Sequence, residues 1–262
     1  MTDASAAERK ITTAAVLIIG NEILSGRTQD INLNYIAKGL SEIGVALREA
    51  RVIPDVDTII IAAVNELRAR FDYLFTTGGI GPTHDDITAE CVARAFGVKL
   101  TLHPDAHRLF LDHYPPGELN DARLRMAHTP DGASLIHNPV SRPPGFRMDN
   151  VFVMAGIPKV MQGMFDGIKL QLQGGPPLLS RTIACDLPEG VIAKGFGEIQ
   201  QRYPELDLGS YPFQRRGQFG ASLVVRGRDP ARIAAAAEEV AALVRTLGGT
   251  PVEECAAAAG DN

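Results

Sequence analysis

The chain has no tryptophan, and aromatic residues make up only 6% of it. That leaves little from which to build a stacking platform for single-stranded nucleic acid. A formal net charge of −5 points the same way, because a phosphate backbone is bound by a basic surface. Cysteine is scarce: Cys91, Cys185 and Cys255 are far apart and form no C-x-x-C pair. A redox motif and a cysteine zinc site are therefore unsupported, and the three read as buried or incidental thiols. The six histidines include no H-x-x-x-H pair on a clear helical face, so a zinc or catalytic histidine has no support, although His84 sits in a turn of interest. G-x-S-x-G, Walker A and a G-x-G-x-x-G after the first strand are all missing, which disfavours a hydrolase elbow, a P-loop and an NAD-type site. No apolar run is long enough to span a bilayer. Residues 1–12, polar and alanine-rich, lack the apolar core of a secretory signal and read as a disordered leader on a cytoplasmic protein.

What is present is ordinary for a soluble globular protein: 262 residues, 45% apolar and 22% charged, enough for one large or two modest domains. Thr13 to Ile19 is a continuous apolar run, as expected of a strand covered on both faces. Ile31 to Ile43 has helical spacing and ends at Gly44. Val45 to Ile53 reads as a strand, and the next helix opens near Asp55 or Asp57 as cap. A strand over Phe71–Phe75 and a helix over Ile87–Phe96 complete a β-α-β-α-β-α order, which predicts parallel strands with right-handed crossovers. A short strand, two helices near Pro104–His113 and Glu118–Ala127, and strands at Ser134–Ile136 and Val151–Met154 follow, with a helix from Pro158. Gly174-Gly175-Pro176-Pro177 reads as a linker. Beyond it, strands at Arg181–Leu187 and Phe219–Arg226, an extended Asp207–Pro212 and helices at Val191–Arg202 and Asp229–Leu247 suggest a small α+β unit on an antiparallel sheet. The expected division is a domain over 13–173, a second over 178–250 and a flexible tail over 251–262.

The stretch around which the chain is organised runs from Thr76 to Glu90. Gly78, Gly79 and Gly81 stand between a strand and a helix, with Pro82, Thr83, Asp85 and Asp86 behind them. Glycines allow a sharp turn and close approach of a ligand, and backbone N–H groups at a helix start suit a phosphate. Adjacent carboxylates repel each other and make sense where a divalent cation bridges. The plainer alternative is that Asp85 and Asp86 only cap the helix. A second polar loop, Gly20-Asn21-Glu22-Ile23-Leu24-Ser25-Gly26, ends the first strand. Its Glu22 is either a ligand or base, or a solvated carboxylate. Asp30 caps the next helix in the plain reading, and Asn32 faces a ligand in the sharper one.

These residues resemble the MoaB/Mog-like molybdopterin-binding domain found at the N-terminus of the CinA (competence/damage-inducible) family. Gly78 to Glu90 is similar to the family's GGxGPTxDDxTxE. Gly20 to Gly26 is similar to its GDELLxG with Asn21 for Asp, and Asp30-Ile31-Asn32 to its DxN. Met126 to Ala133 resembles a further segment, Asn138 to Phe146 stands where the family has Asn and then GTAPG, and Gly156-Ile157-Pro158 matches PGxP with Ala155 for the first Pro. Gly209-Ser210-Tyr211-Pro212 is similar to a GxYP in the second unit. The nicotinamide-nucleotide amidase domain of longer members has no room here.

The resemblance implies a three-layer α/β/α, mostly parallel sheet followed by the small α+β unit. It implies a divalent cation such as Mg²⁺ as cofactor, molybdopterin or a nucleotide as small-molecule ligand, and a homo-oligomer. It further implies metal-dependent cleavage of ADP-ribose-type phosphoanhydrides, with Asp86, Asp85 and Glu22 catalytic and metal-holding. Gly20, Asn21, Ser25, Asn32, Asp55, Thr77, Gly78, Gly79, Gly81, Pro82, Thr83, Thr88, Glu90, Asn138, Arg142 and Gly145 would bind the ligand. Asp86 and Asp55 fall on carboxylates of the related adenylyltransferases. A non-catalytic binder and adenylyl transfer to molybdopterin stay open as alternatives. The last is disfavoured because that motif has Arg-Asp in place of Asp85-Asp86. Asn21, a poorer cation ligand than Asp, and Ser141-Arg142-Pro143, which places a cation in the loop, are the departures that bear on catalysis.

Overall fold

The computed structural model describes residues 11–115, 117–215 and 218–254. Residues 1–10 of the expected leader, Cys255 and the rest of the expected tail lie outside them. The chain divides into two compact units, one ending at Gly175 and the other beginning at Pro176.

In the first unit, β1 (Thr13–Ile19) is apolar almost throughout because both of its faces are covered. Ala15, Leu17 and Ile19 pack with α3 (Asp57–Arg70) and α4 (Thr88–Phe96). Ala14, Val16 and Ile18 pack on the other side with α2 (Asn32–Glu42) and α7 (Pro158–Lys169). The period of two along a strand thus builds the three layers. The remaining strands of this sheet are β2 (Ala46–Ile53), β3 (Tyr73–Thr77), β6 (Ser134–Ile136), β7 (Gly145–Met148) and β8 (Val151–Met154), in the order β2-β1-β3-β8-β7-β6. β1 runs parallel to β2 and β3, and β3 parallel to β8, while β7 and β6 are antiparallel additions. A mostly parallel α/β/α sheet is therefore what forms, as expected. Since β1 leads outward to β2 and the chain then returns to β3 on its other side, the strand order reverses at β1. Ligands of open α/β sheets bind beyond the carboxyl ends of strands at such a reversal.

Local differences from the sequence reading have local causes. Gly20 to Gly26 is not a plain loop: Asn21–Leu24 forms a single helical turn, α1. Neither Asp55 nor Asp57 caps α3, which starts after Val56 without a side-chain cap. Asp57 instead pairs with Arg94 at 2.8 Å. The helix expected over Glu118–Ala127 shortens to α6 (Asp121–Arg125), capped by Asn120, because β5 (His128–Pro130) pairs with β4 (Leu100–Leu102) directly after it. α5 spans Pro104–His113 as expected.

The second unit holds β9 (Leu179–Cys185), α8 (Glu189–Arg202), β10 (Asp207–Arg215), β11 (Gln218–Gly227), α9 (Pro230–Thr246) and β12 (Val252–Glu254). Its sheet is antiparallel throughout, in the order β10-β11-β9-β12. Ile192, Phe196 and Ile199 of α8 share one core with Ile233, Ala237 and Val240 of α9. Asp229 caps α9 as the sequence suggests, accepting the Ala231 N–H at 2.9 Å. A flexible tail from residue 251 is not what forms at its start. Val252–Glu254 pairs with β9, and Arg181 grips Glu253 through two hydrogen bonds of 2.6 Å. A bidentate guanidinium–carboxylate pair holds a short strand that composition alone marks as frayed.

One ion-pair cluster ties β2 to α3. Arg51 reaches Glu66 at 2.7 and 2.5 Å, and this holds the Glu66 carboxyl down to about 2. A carboxyl depressed in the folded state stabilises it above the ordinary pKa of 4.5 and loses that contribution as the pH falls toward about 2. Glu66→Gln is expected to flatten the fall in melting temperature across that interval. A pH profile identical to wild type would show that the pair contributes nothing.

Candidate functional site

β3 ends at the buried Thr77, and the chain turns at once. Gly78 and Gly79 have φ of 101° and 67°. A Cβ on Gly78 would stand 2.1 Å from the Ile19 carbonyl oxygen, and one on Gly79 2.2 Å from Thr88 Oγ1. Conformation and space both demand glycine here. Thr88, fully buried, closes the turn: its hydroxyl donates to the Gly78 carbonyl at 3.1 Å and its N–H to the Gly79 carbonyl at 3.0 Å. Thr88 therefore positions the turn, and it lines neither of the cavities described below.

Asp85 and Asp86 do not cap α4. The boundary residue is Ile87, and no side chain caps it. Asp86 Oδ2 accepts the Thr83 N–H at 2.8 Å and lies 2.5 Å from the Thr83 hydroxyl, while Asp85 Oδ1 lies 2.6 Å from the same hydroxyl. A hydroxyl carries one proton, so two acidic side chains converge on a single donor. The Thr83 hydroxyl holds the Asp85 carboxyl below its ordinary range. Gly81 leaves room for this arrangement, because a Cβ there would stand 2.6 Å from Asp86 Oδ2.

The neighbouring strand end supplies a second wall. Glu22 folds back over Gly20, where an added Cβ would meet its carboxylate at 2.5 Å. Ser25 closes α1 by donating to the Glu22 carbonyl at 3.2 Å. Asp55 accepts the Asn21 N–H at 2.8 Å, so it fixes this loop from the end of β2. Asp30 accepts the Leu33 N–H at 2.9 Å, the plain capping role. Asn32, 4% exposed, donates to the Gly156 carbonyl at 2.8 Å and leaves its own Oδ1 buried without a partner.

A third wall is the loop after β6. Asn138, 3% exposed, uses all its capacity within it: Oδ1 accepts from the Val140 and Ser141 N–H groups at 2.9 and 3.1 Å, and Nδ2 donates to Ser141 Oγ and the Pro143 carbonyl at 2.9 and 2.8 Å. Arg142 sits at φ 74° and is exposed. Gly145 is required for packing, since a Cβ there would stand 2.3 Å from the Val153 carbonyl oxygen.

These walls surround a cavity of about 510 Å³. Of the residues marked for the site in the sequence, Glu22, Gly78, Gly79, Gly81, Pro82, Asp86 and Asn138 line it. Glu90 lines a smaller cavity beside it, of about 190 Å³, together with Gly81 and Asp86. Gly20, Asn21, Ser25, Asn32, Asp55, Thr77, Thr83, Asp85, Thr88, Arg142 and Gly145 line neither; where a role is visible for them, it is to hold the walls. Thr28 and Val160 line the large cavity although no motif marks them, since each arrives from a separate part of the chain through tertiary packing.

Among the described residues no three His, Cys, Asp or Glu side chains are gathered to hold a metal ion. The expected trio of Glu22, Asp85 and Asp86 is thus not a preformed cage. Two carboxylates meeting at one hydroxyl still fit a Mg²⁺-type cation, which commonly takes one or two carboxylates and completes its shell with water and substrate phosphates.

An apolar cavity floored by a glycine turn, with acidic groups at its rim and beyond the carboxyl ends of β1 and β3, defines a small-molecule-binding α/β domain. Residues 15–174 match the family model described as a probable molybdopterin binding domain, more than half of the chain, and the protein belongs to that family. Residues 177–247 match a second model, the middle domain of FAD synthase. A protein of Aeropyrum pernix is 32% identical over 92% of this chain and 97% of its own. A CinA-like protein of Citrifermentans bemidjiense is 40% identical over 76% of this chain but only 48% of its own, so the chain spans about half the length of that relative. The crystal structure of the protein CinA, of unknown function, from Thermoplasma acidophilum matches with a TM-score of 0.57 and 32% identity, over 61% of this chain and 98% of that one.

The glycine turn gives a direct test. Gly78→Ala is expected to cost about 3 kcal/mol or more, from overlap and backbone strain together. Gly26→Ala, at φ 72° with nothing within 4 Å of the added Cβ, should cost about 1 kcal/mol. Denaturant unfolding that ranks the two equally would show that the close approach to Ile19 carries no weight.

Proposed function

We propose that the large cavity binds a pyrophosphate-containing nucleotide or pterin, and that the protein hydrolyses a nucleotide phosphoanhydride such as that of ADP-ribose with the aid of a divalent cation. The observation that carries this reading is that the Gly78–Gly81 turn, Asp86 and Glu22 all border one cavity. The turn leads into α4, whose N-terminal end favours an anion. Asp85 and Asp86 would hold the cation, which supplies neutralisation of the charge that develops on the phosphates. The glycine turn orients the pyrophosphate, and the apolar walls exclude bulk water from the ring. Asp86, fixed by the Thr83 N–H, aligns a water molecule at its free carboxylate edge. As the water oxygen bonds to phosphorus, a carboxylate at the rim, Glu22 or Asp86, takes its proton, and the bridging P–O bond breaks to release the second phosphate.

One observation favours a binding-only function as the second reading. Glu22 is not gathered with Asp85 and Asp86, and Asn21 offers an amide where the resembling motif has a carboxylate.

Assays with ADP-ribose, FAD and NADH, each with Mg²⁺ or Mn²⁺, separate the two. Hydrolysis predicts cation-dependent release of AMP that chelation abolishes and that Asp86→Asn lowers by about 100-fold or more. Equal turnover by the variant overturns the assignment of Asp86. Calorimetric binding without any product establishes the second reading instead.

A further inference from the structure

The second unit has a groove of its own, of about 430 Å³, between α8 and β10. Three of its features have separate causes. First, β10 stands at the end of the order β10-β11-β9-β12, so one side of it has no partner strand among the described residues. The Leu208 N–H shows where that side faces, because it donates to Gln200 Oε1 at 2.9 Å, away from β11. Backbone direction alternates along an antiparallel strand, so the peptide groups of Ser210, Pro212 and Gln214 face the same way. Pro212 has no N–H to leave unpaired, and an edge is where a sheet admits proline. Second, the groove is largely apolar. Ile192, Phe196 and Leu208 line it, and Gly197 keeps α8 thin beside them. Third, Glu189 borders it from the first turn of α8, and its carboxylate accepts the Ser210 hydroxyl at 2.7 Å. Among the described residues no cation meets that carboxylate. Glu205, Glu239 and Glu253 of the same unit each pair with an arginine.

We propose that this groove docks an extended segment of another protein, which adds to β10 as a further strand and sets a Lys or Arg side chain against Glu189. Hydrogen bonds to an open strand edge supply affinity in this mode of recognition, and the trough beside the edge supplies selectivity. Side chains of a strand point alternately to its two faces, so the residues that enter the trough stand two apart. α8 rises about 16 Å from Glu189 to Gln200, the reach of about five extended residues. The segment that fits therefore reads basic-x-apolar-x-apolar. Charge selects the occupant, because a half-buried carboxylate in apolar surroundings repels an acidic segment and gains from a cation. A second copy of β10 suits the edge less well. Pro212 withholds one N–H from any strand laid against it, and a symmetric pair would contain that gap twice.

Fluorescence anisotropy of the full chain with a labelled peptide, Lys-Thr-Leu-Thr-Leu blocked at both ends, tests this against the same peptide with Glu in place of Lys. The wild-type protein is expected to bind the Lys peptide about fivefold or more tightly than the Glu peptide, the worth of one partly desolvated charge pair. Glu189→Lys should invert that preference. Gly197→Leu fills the trough at a position where an added Cβ meets nothing within 4 Å, so it should keep the melting temperature. The same variant should weaken the Lys peptide by about tenfold or more. Absence of binding at about 1 mM peptide overturns the docking surface. So does a preference that Glu189→Lys leaves unchanged, or an affinity that Gly197→Leu leaves unchanged. Self-association of the chain in sedimentation that Gly197→Leu abolishes assigns the groove to a second copy and overturns the proposal as well.

Discussion

The close approach of two strand ends is the constraint on which the rest of the site depends. Gly78 passes so near the Ile19 carbonyl that no side chain can stand between them. The carboxyl ends of β1 and β3 therefore meet at a single place, and the loops that follow them are forced into one pocket. Gly156 extends the same packing from β8, where an added Cβ would lie 3.3 Å from Gly78 Cα. Three loops from distant parts of the chain are brought together by backbone proximity, before any side-chain chemistry is considered.

Around that junction the polar groups divide into those that hold the loops and those that border the cavity. Thr88, Asn138, Asn32 and Asp55 spend their hydrogen bonds on backbone groups of the loops, and the first three are buried. Each lost bond there would leave a buried group unsatisfied, which is costlier than losing a surface contact. Asp86 and Glu22 stand at the cavity edge instead, and Asp85 just outside it, all without a cap to make for the helix. The crowding of Asp85 and Asp86 at Thr83 is a poor arrangement for stability. Rigid loops behind and acidic groups in front are what a preorganised site requires.

Much of this was legible along the chain. Unbroken apolarity in Thr13–Ile19 announced a strand buried on both faces, and the glycines of Gly78-Gly79-Ile80-Gly81 announced a turn that only glycine can make. Their ligand role also rests on the resemblance to the CinA family. The parts that escaped were those that depend on a distant partner. β12 exists because Arg181 grips Glu253, and neither residue marks the other in sequence. β5 and β7 are too short to show a period and form only because β4 and β8 lie alongside. Thr88, Asp55 and Gly145, which the family resemblance marks for the ligand, line neither cavity and brace the walls through backbone contacts.

Sequence alone therefore determined the longer elements, the doubly covered sheet and the glycine turn, because hydrophobic period and the φ of glycine are local properties, and its motifs marked the family. Tertiary structure decided which of the marked residues line a cavity and which only brace it. It also decided that Asp85 and Asp86 face Thr83 instead of capping α4, and that Arg125 and His128 stand beside Glu90. These outcomes rest on distances between segments far apart in the chain, which local chemistry does not encode.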